Sequence, residues 1–176
     1  MNDCKEKYYG KYRGTVVLNE DPKRQGRIQV LVPDVSGIAL SNWAMPCVPI
    51  GGLQSGISTV PPIGSGVWVE FEQGDPDYPI WSGGFWGSAA DPPPSMHMAP
   101  PAAPNIVLQT IGQNSITLFG APGGGITISG GPMTMPLSPK IMLTPVGIEI
   151  SVGLASIKLS PDGQVRINNN SLLVMP

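Results

Sequence analysis

Apolar and polar residues alternate along most of this chain with the period of two that marks half-buried strands. In the first half the pattern predicts five short strands, at residues 12–18, 27–32, 42–48, 66–72 and 78–85. In the second of them Ile28, Val30 and Val32 fall on one face and Arg27, Gln29 and Leu31 on the other. The fourth sets Val67, Val69 and Phe71 against Trp68, Glu70 and Glu72. Asp75-Pro76-Asp77 after Gly74 reads as a turn, with proline presetting φ and aspartate able to bond its own backbone. Five short strands with a longer third-to-fourth connection, residues 49–65, predict a small Greek-key barrel of the OB type. No helical periodicity persists beyond about two turns, so the fold class is all-β.

The second half repeats a different unit. Short bursts at residues 115–118, 125–129, 140–144, 147–152, 156–160 and 164–168 each carry two or three aliphatics alternating with polar residues. The aliphatic set is Ile116, Leu118, Ile126, Ile128, Ile141, Leu143, Ile148, Ile150, Ile157, Leu159, Val165 and Ile167. Each burst has one apolar stripe, and the sequence offers no helix or second sheet to cover it. Without large aromatics the stripes suit a narrow prism in which several strands meet on an axis. One chain could coil on itself as a solenoid, at about 18 residues or more per turn. Three chains wound together need only one burst per chain per layer. The later bursts recur every seven to nine residues, which fits the intertwined trimeric triangular β-helix better.

Composition sharpens the division. Residues 1–87 hold ten of the eleven aromatics and 16 of the 22 charges; residues 88–176 hold one aromatic, Phe119, and six charges. Between the two patterns, residues 88–104 form a Pro-rich stretch expected to be a stiff, extended linker. The expected organisation is a domain over 1–87, a linker over 88–104 and a spike over 105–176. Gly and Pro number 23 and 21, and they punctuate the apolar runs as turn residues do.

Charge and special residues narrow the chemistry. The formal net charge is -2, which gives no bias toward nucleic acid or an anionic membrane. Trp43, Trp68, Trp81 and Trp86 with Phe85 could stack on single strands, but the only dense basic cluster is Lys23-Arg24 with Arg27. Barrel packing explains the aromatics better, and no nucleic-acid partner is expected. Cys4 and Cys47 match no metal or redox spacing; Cys4 reads as a free thiol and Cys47 as a small buried hydrophobe. His97, between Met96 and Met98, reads as a solvated linker residue, and neither metal nor cofactor is expected. Asp75 and Asp77 are explained by their turn, and Gly123-Gly124-Gly125 lacks the Lys-Ser/Thr and helix of a phosphate loop. No nucleophile with a partnered base is evident, so no enzyme activity is expected. The N-terminus is charged and lacks an apolar core, so it is not expected to be a signal peptide.

The run from Pro61 through Gly64, Trp68, Glu70, Gly74-Asp75-Pro76-Asp77, Tyr78, Trp81 and Gly83-Gly84 resembles the OB domain of phage baseplate hub spikes. That domain is shared by the baseplate assembly protein V family and the VgrG spikes of type VI secretion. Tyr12-Arg13-Gly14-Thr15 and Gln25-Gly26-Arg27-Ile28 resemble its opening strands. Ile141 to Ile150 and Ser156 to Gly163 are similar to the triangular β-helix of those spikes. The resemblance implies a homotrimer seated on a hub protein at the tube's end, in the baseplate of a virion or injection particle. It implies a membrane-puncturing shaft in transient contact with a target membrane. The chain is expected to be made in the cytoplasm, to need a separate hub and to carry no lysozyme-like insert. An alternative is an OB binding module that carries cargo or effector on a trimeric stalk without puncturing. At the far end, Leu172, Leu173, Val174 and Met175 are expected either to dock a conical PAAR-type tip protein or to close as a last layer.

Overall fold

The computed structural model describes residues 6–169 and 171–175, the side chain of Leu173 excepted, so Cys4 lies outside the described residues. The chain divides into two compact units, Met1–Asp91 and Pro92–Pro176.

The first unit contains β1 (Tyr12–Leu18), β2 (Gln29–Leu31), β3 (Met45–Pro46), β4 (Gly51–Gly52), β5 (Ser55–Gly56), β6 (Gly66–Phe71) and β7 (Pro79–Phe85). Five of them pair in the order β2-β1-β6-β7-β3, all antiparallel except β3 with β7. An antiparallel bridge from Ile28 to Ala44 brings the chain entering β3 back beside the chain entering β2. The circuit therefore closes, as the pairing of a Greek-key OB barrel does. Closure removes the free edges that five short strands would otherwise present. The core is the predicted inward set: Ile28, Val30, Val32, Val67, Val69 and Phe71 are buried, with Val16, Ala44 and Trp81. The indole N–H of Trp81 donates to the Gly26 carbonyl at 3.1 Å, so its one polar atom is satisfied inside.

Two pieces of this unit were not predicted. A single helical turn, Pro33–Ser36, follows β2, and β4 and β5 form a two-residue hairpin inside the long connection. Neither carries a periodic apolar signal, because the turn gives the core only the partly buried Val35 and the hairpin residues are exposed. Cys47 is exposed, contrary to expectation. Its N–H donates to the Trp81 carbonyl, and alternation turns Ala44 inward and Met45 and Cys47 outward.

The loop after β1 is organised by Asp21. Its carboxylate accepts from the backbone N–H groups of Lys23, Gln25 and Arg27 and from the Arg27 guanidinium. The Arg27 hydrogen bonds hold the Asp21 carboxyl well below the usual carboxylate range, and the backbone donors add to this against the opposing effect of burial. Arg27 also lies over the Trp43 ring, 5.4 Å from its centroid.

The second unit is a meander. It contains β8 (Ile106–Gln109), β9 (Ser115–Leu118), β10 (Ile126–Ser129), β11 (Lys140–Thr144), β12 (Gly147–Val152), β13 (Ala155–Leu159), β14 (Val165–Ile167) and β15 (Leu172–Val174). These pair strictly in chain order as one eight-stranded antiparallel sheet. Strand β8 was missed because Ile106-Val107-Leu108 does not alternate. The expected intertwining placed a neighbouring chain's strand on each side of every burst. Here each strand from β9 to β14 has both ladder partners within its own chain, because turns of two to ten residues suffice to reverse it. The Pro-rich segment is not extended throughout: Pro94–Met98 is a 3-10 turn lying against β8, and the Asn105 side-chain amide donates to the Ser95 carbonyl at 2.8 Å. Consecutive prolines preset φ but leave a following Ser-Met-His-Met free to turn.

Candidate functional site

Register fixes what the C-terminal sheet presents. Cross-strand partners on one face form two unbroken aliphatic ladders. The first runs Ile106, Leu118, Ile126, Leu143, Ile148, Leu159, Val165, Val174. The second runs Leu108, Ile116, Ile128, Ile141, Ile150, Ile157, Ile167, Leu172. All twelve aliphatics singled out from the sequence stand in these ladders, joined by Ile106, Leu108, Leu172 and Val174. Directly opposed residues have Cβ atoms roughly 4.5–5.5 Å apart, so each ladder is a continuous ridge of branched side chains.

The opposite face is chemically different. Its central column runs Val107, Thr117, Thr127, Met142, Glu149, Lys158, Arg166 and Leu173. Lys158 and Glu149, directly opposed, form an ion pair at 3.0 Å. Burial is inverted relative to polarity. Ser115, Thr117, Thr127 and Ser129 are buried, while the aliphatics beside them on the same strands are the exposed residues. Together the ladders leave on the order of 1,000 Å² of aliphatic surface uncovered, against about 300–600 Å² for the largest patch on a typical monomer. A surface of this size, uniform chemistry and straight register has the character of surfaces that mark interaction sites.

Of the four end residues, Leu172 and Val174 belong to the aliphatic ladders through Ile167 and Val165, and Met175 is exposed beyond the strand. Leu173 stands in the polar-face column by register, its side chain lying outside the described residues. Among the described residues, the end surface presents the outer backbone edge of β15 and Met175. The aromatics do not share one platform. Trp81 is core, Trp68 packs on Phe85 with ring centroids 5.0 Å apart and Arg13 over both, and Trp86 is exposed. His97 sits in the 3-10 turn, and the described residues contain no group of three or more His, Cys, Asp or Glu able to hold a metal. The Asp77 N–H donates to the Asp75 side chain at 3.1 Å, so the two act in the predicted turn.

Sequence reasoning named the face's residues but not their register. The pair of aliphatics spaced by two in each burst was the available signal, since such pairs stack into two columns only if every hairpin pairs without slippage.

Two family models match the chain. Residues 12–86 match the family model of the type VI secretion system/phage-baseplate injector OB domain. Residues 105–173 match that of the phage baseplate V C-terminal trimerisation domain. No curated protein matches the chain.

Proposed function

The chain belongs to the phage baseplate V spike family, whose injector OB domain and trimerisation domain it carries in that order, and from this premise we propose that it is the homotrimeric central spike of a contractile injection baseplate. The observation that carries the reading is the pair of aliphatic ladders. Three copies of the sheet, ladders inward, make a triangular prism with an Ile, Leu and Val core and no aromatics. Eight strands at about 4.8 Å give a shaft roughly 40 Å long. The OB unit, over residues 1–87, seats the trimer on a separate hub protein. The shaft meets the target membrane and punctures it when the machine fires. The β15 edge with Met175 receives a PAAR-type tip protein.

The prism differs from the one expected in a way that bears on mechanism. Thrust is resisted within each chain by its own ladders, and the chains are held to one another by apolar contact. Light scattering on the full chain should give three times the chain mass; a monomer would remove the shaft. Labelling the chain in assembled particles should mark one end, on the axis. A label spread along the tube, or at several sites off the axis, would favour the cargo-carrying alternative.

A further inference from the structure

The two long margins of the C-terminal sheet differ in how much bulky aliphatic surface their turns expose. In a meander, successive turns fall alternately at one margin and the other. The β8–β9, β10–β11, β12–β13 and β14–β15 turns share a margin; the first three carry Ile111, Leu137 and Leu154, exposed by 79%, 74% and 94%, and the β10–β11 turn also exposes Pro136 and Pro139. No charged residue occurs in these three turns. The β9–β10, β11–β12 and β13–β14 turns share the other margin, and each presents an exposed proline: Pro122, Pro145 and Pro161. The prolines have a local reason, since they preset φ for a turn. The aliphatic tips have none, because turns favour Gly, Asn, Asp, Ser and Pro.

Two of these turns also touch. Leu137 lies over the Gly153 backbone, where a Cβ would come within 3.2 Å of its Cδ2. A shallow concavity of about 360 Å³ lies near this margin, lined by Ile150, Val152, Ala155, Ile157 and Ile167 together with the polar Ser151, Ser156 and Asn168.

We propose that this aliphatic margin docks on the proline margin of a second copy of the chain, a head-to-tail contact that closes the ring. The inference rests on the trimer reading above and adds how neighbouring chains meet at each corner of the prism. Rotation about a threefold axis brings unlike margins together and never like ones, so a self-complementary margin would be useless to it. Turns at each margin recur every second strand, roughly 9.6 Å apart, and the two margins are offset by one strand. Bulky tips of one chain therefore fit between proline turns of the next, and Val146 on the proline margin adds apolar surface there.

Cross-linking in the full chain tests the contact, in a background with Cys4→Ser and Cys47→Ser. Leu154→Cys is combined in turn with Ala121→Cys, Val146→Cys and Asp162→Cys, one in each proline-margin turn. After mild oxidation, at least one pair should run as a covalent trimer on a non-reducing gel, and every single-cysteine variant as a monomer. Covalent dimers from Leu154→Cys alone would overturn the proposal, since like margins would then meet. So would trimers by light scattering without a cross-link from any of the three pairs. A background chain that is itself monomeric would instead sink the trimer reading. As a second readout, Leu154→Asp should raise the trimer dissociation constant by about tenfold or more, and an unchanged constant counts against the contact.

Discussion

Neighbouring residues on opposite faces of β12 give the sharpest test of the association face. Ile150 stands in the second ladder between Ile141 and Ile157 and is 45% exposed in the single chain. In a threefold prism its three copies share one layer around the axis and become fully buried. Truncating a buried Ile to Ala costs about 2–5 kcal/mol. Somewhat under half of that, by exposed fraction, belongs to association rather than to folding of the sheet: about 1–2 kcal/mol per chain, or about 3–6 kcal/mol for three. At about 1.4 kcal/mol per tenfold, Ile150→Ala should raise the trimer dissociation constant by about 10²–10⁴-fold. Glu149→Ala removes only the partly exposed ion pair with Lys158, worth at most about 1 kcal/mol to the fold, and should leave association unchanged. Sedimentation equilibrium across a dilution series reads both constants, with circular dichroism confirming that the strands remain. Equal effects from the two substitutions, or a trimer indifferent to Ile150→Ala, would refute the face assignment.

Asp21 makes the OB unit acid-sensitive. Its folded pKa is depressed, so its contribution is fully present above the ordinary carboxylate value and is lost as pH falls through the folded one. The melting-temperature gap between the parent chain and Asp21→Asn should be constant from pH 7 to about 5 and shrink below about 4; a gap independent of pH would deny the assignment. Gly147 has φ +133°, and a Cβ there would collide with the Leu159 carbonyl oxygen of the next strand. Gly147→Ala should therefore lower stability by more than the about 1 kcal/mol of ordinary backbone effects, whereas Gly123→Ala, with open space around its Cβ, should cost only the strain of its positive φ. Thermal melts of the two variants compare them directly, and equal losses would count against the register at β12–β13.

The barrel was legible because its core is a matter of local alternation: a buried face reads the same whether the strand is three residues long or seven. Tyr12–Leu18 agrees with the expected span, and the faces of the second and fourth strands fell as the pattern placed them. Closure was less legible. It depends on the bridge from Ile28 to Ala44, one residue from each of two segments that are barely strands. In the second half the aliphatic stripe was plain, but the stripe alone does not say whose strand lies beside it. A burst of Ile-Xaa-Ile pairs equally well with its own chain or with a neighbour's. What decides is the length of each connection, and connections such as Pro145-Val146 and Gly153-Leu154 are hairpin turns. Cys47 was misplaced for a related reason: it was judged by residue type, although its strand position already pointed it outward.

That distinction between own-chain and neighbour-chain pairing has a measurable consequence. In an intertwined prism every ladder crosses between chains, so separating them means unfolding them and exchange is as slow as global unfolding. In a prism of three meanders the only sheet edges left to pair are those of β8 and β15, and the chains are joined by side chains alone. Dissociation then exposes the ladder face while leaving seven strand pairings intact in each chain. Two populations of full-length Cys4→Ser trimer carrying different fluorophores on Cys47, mixed under native conditions, should exchange chains faster than the strands unfold, and so faster than amide protection is lost from β11–β13. Backbone hydrogen exchange in the same sample provides the comparison. If chains exchange only as fast as those amides open, the ladders are shared between chains and the sheet is not closed within one.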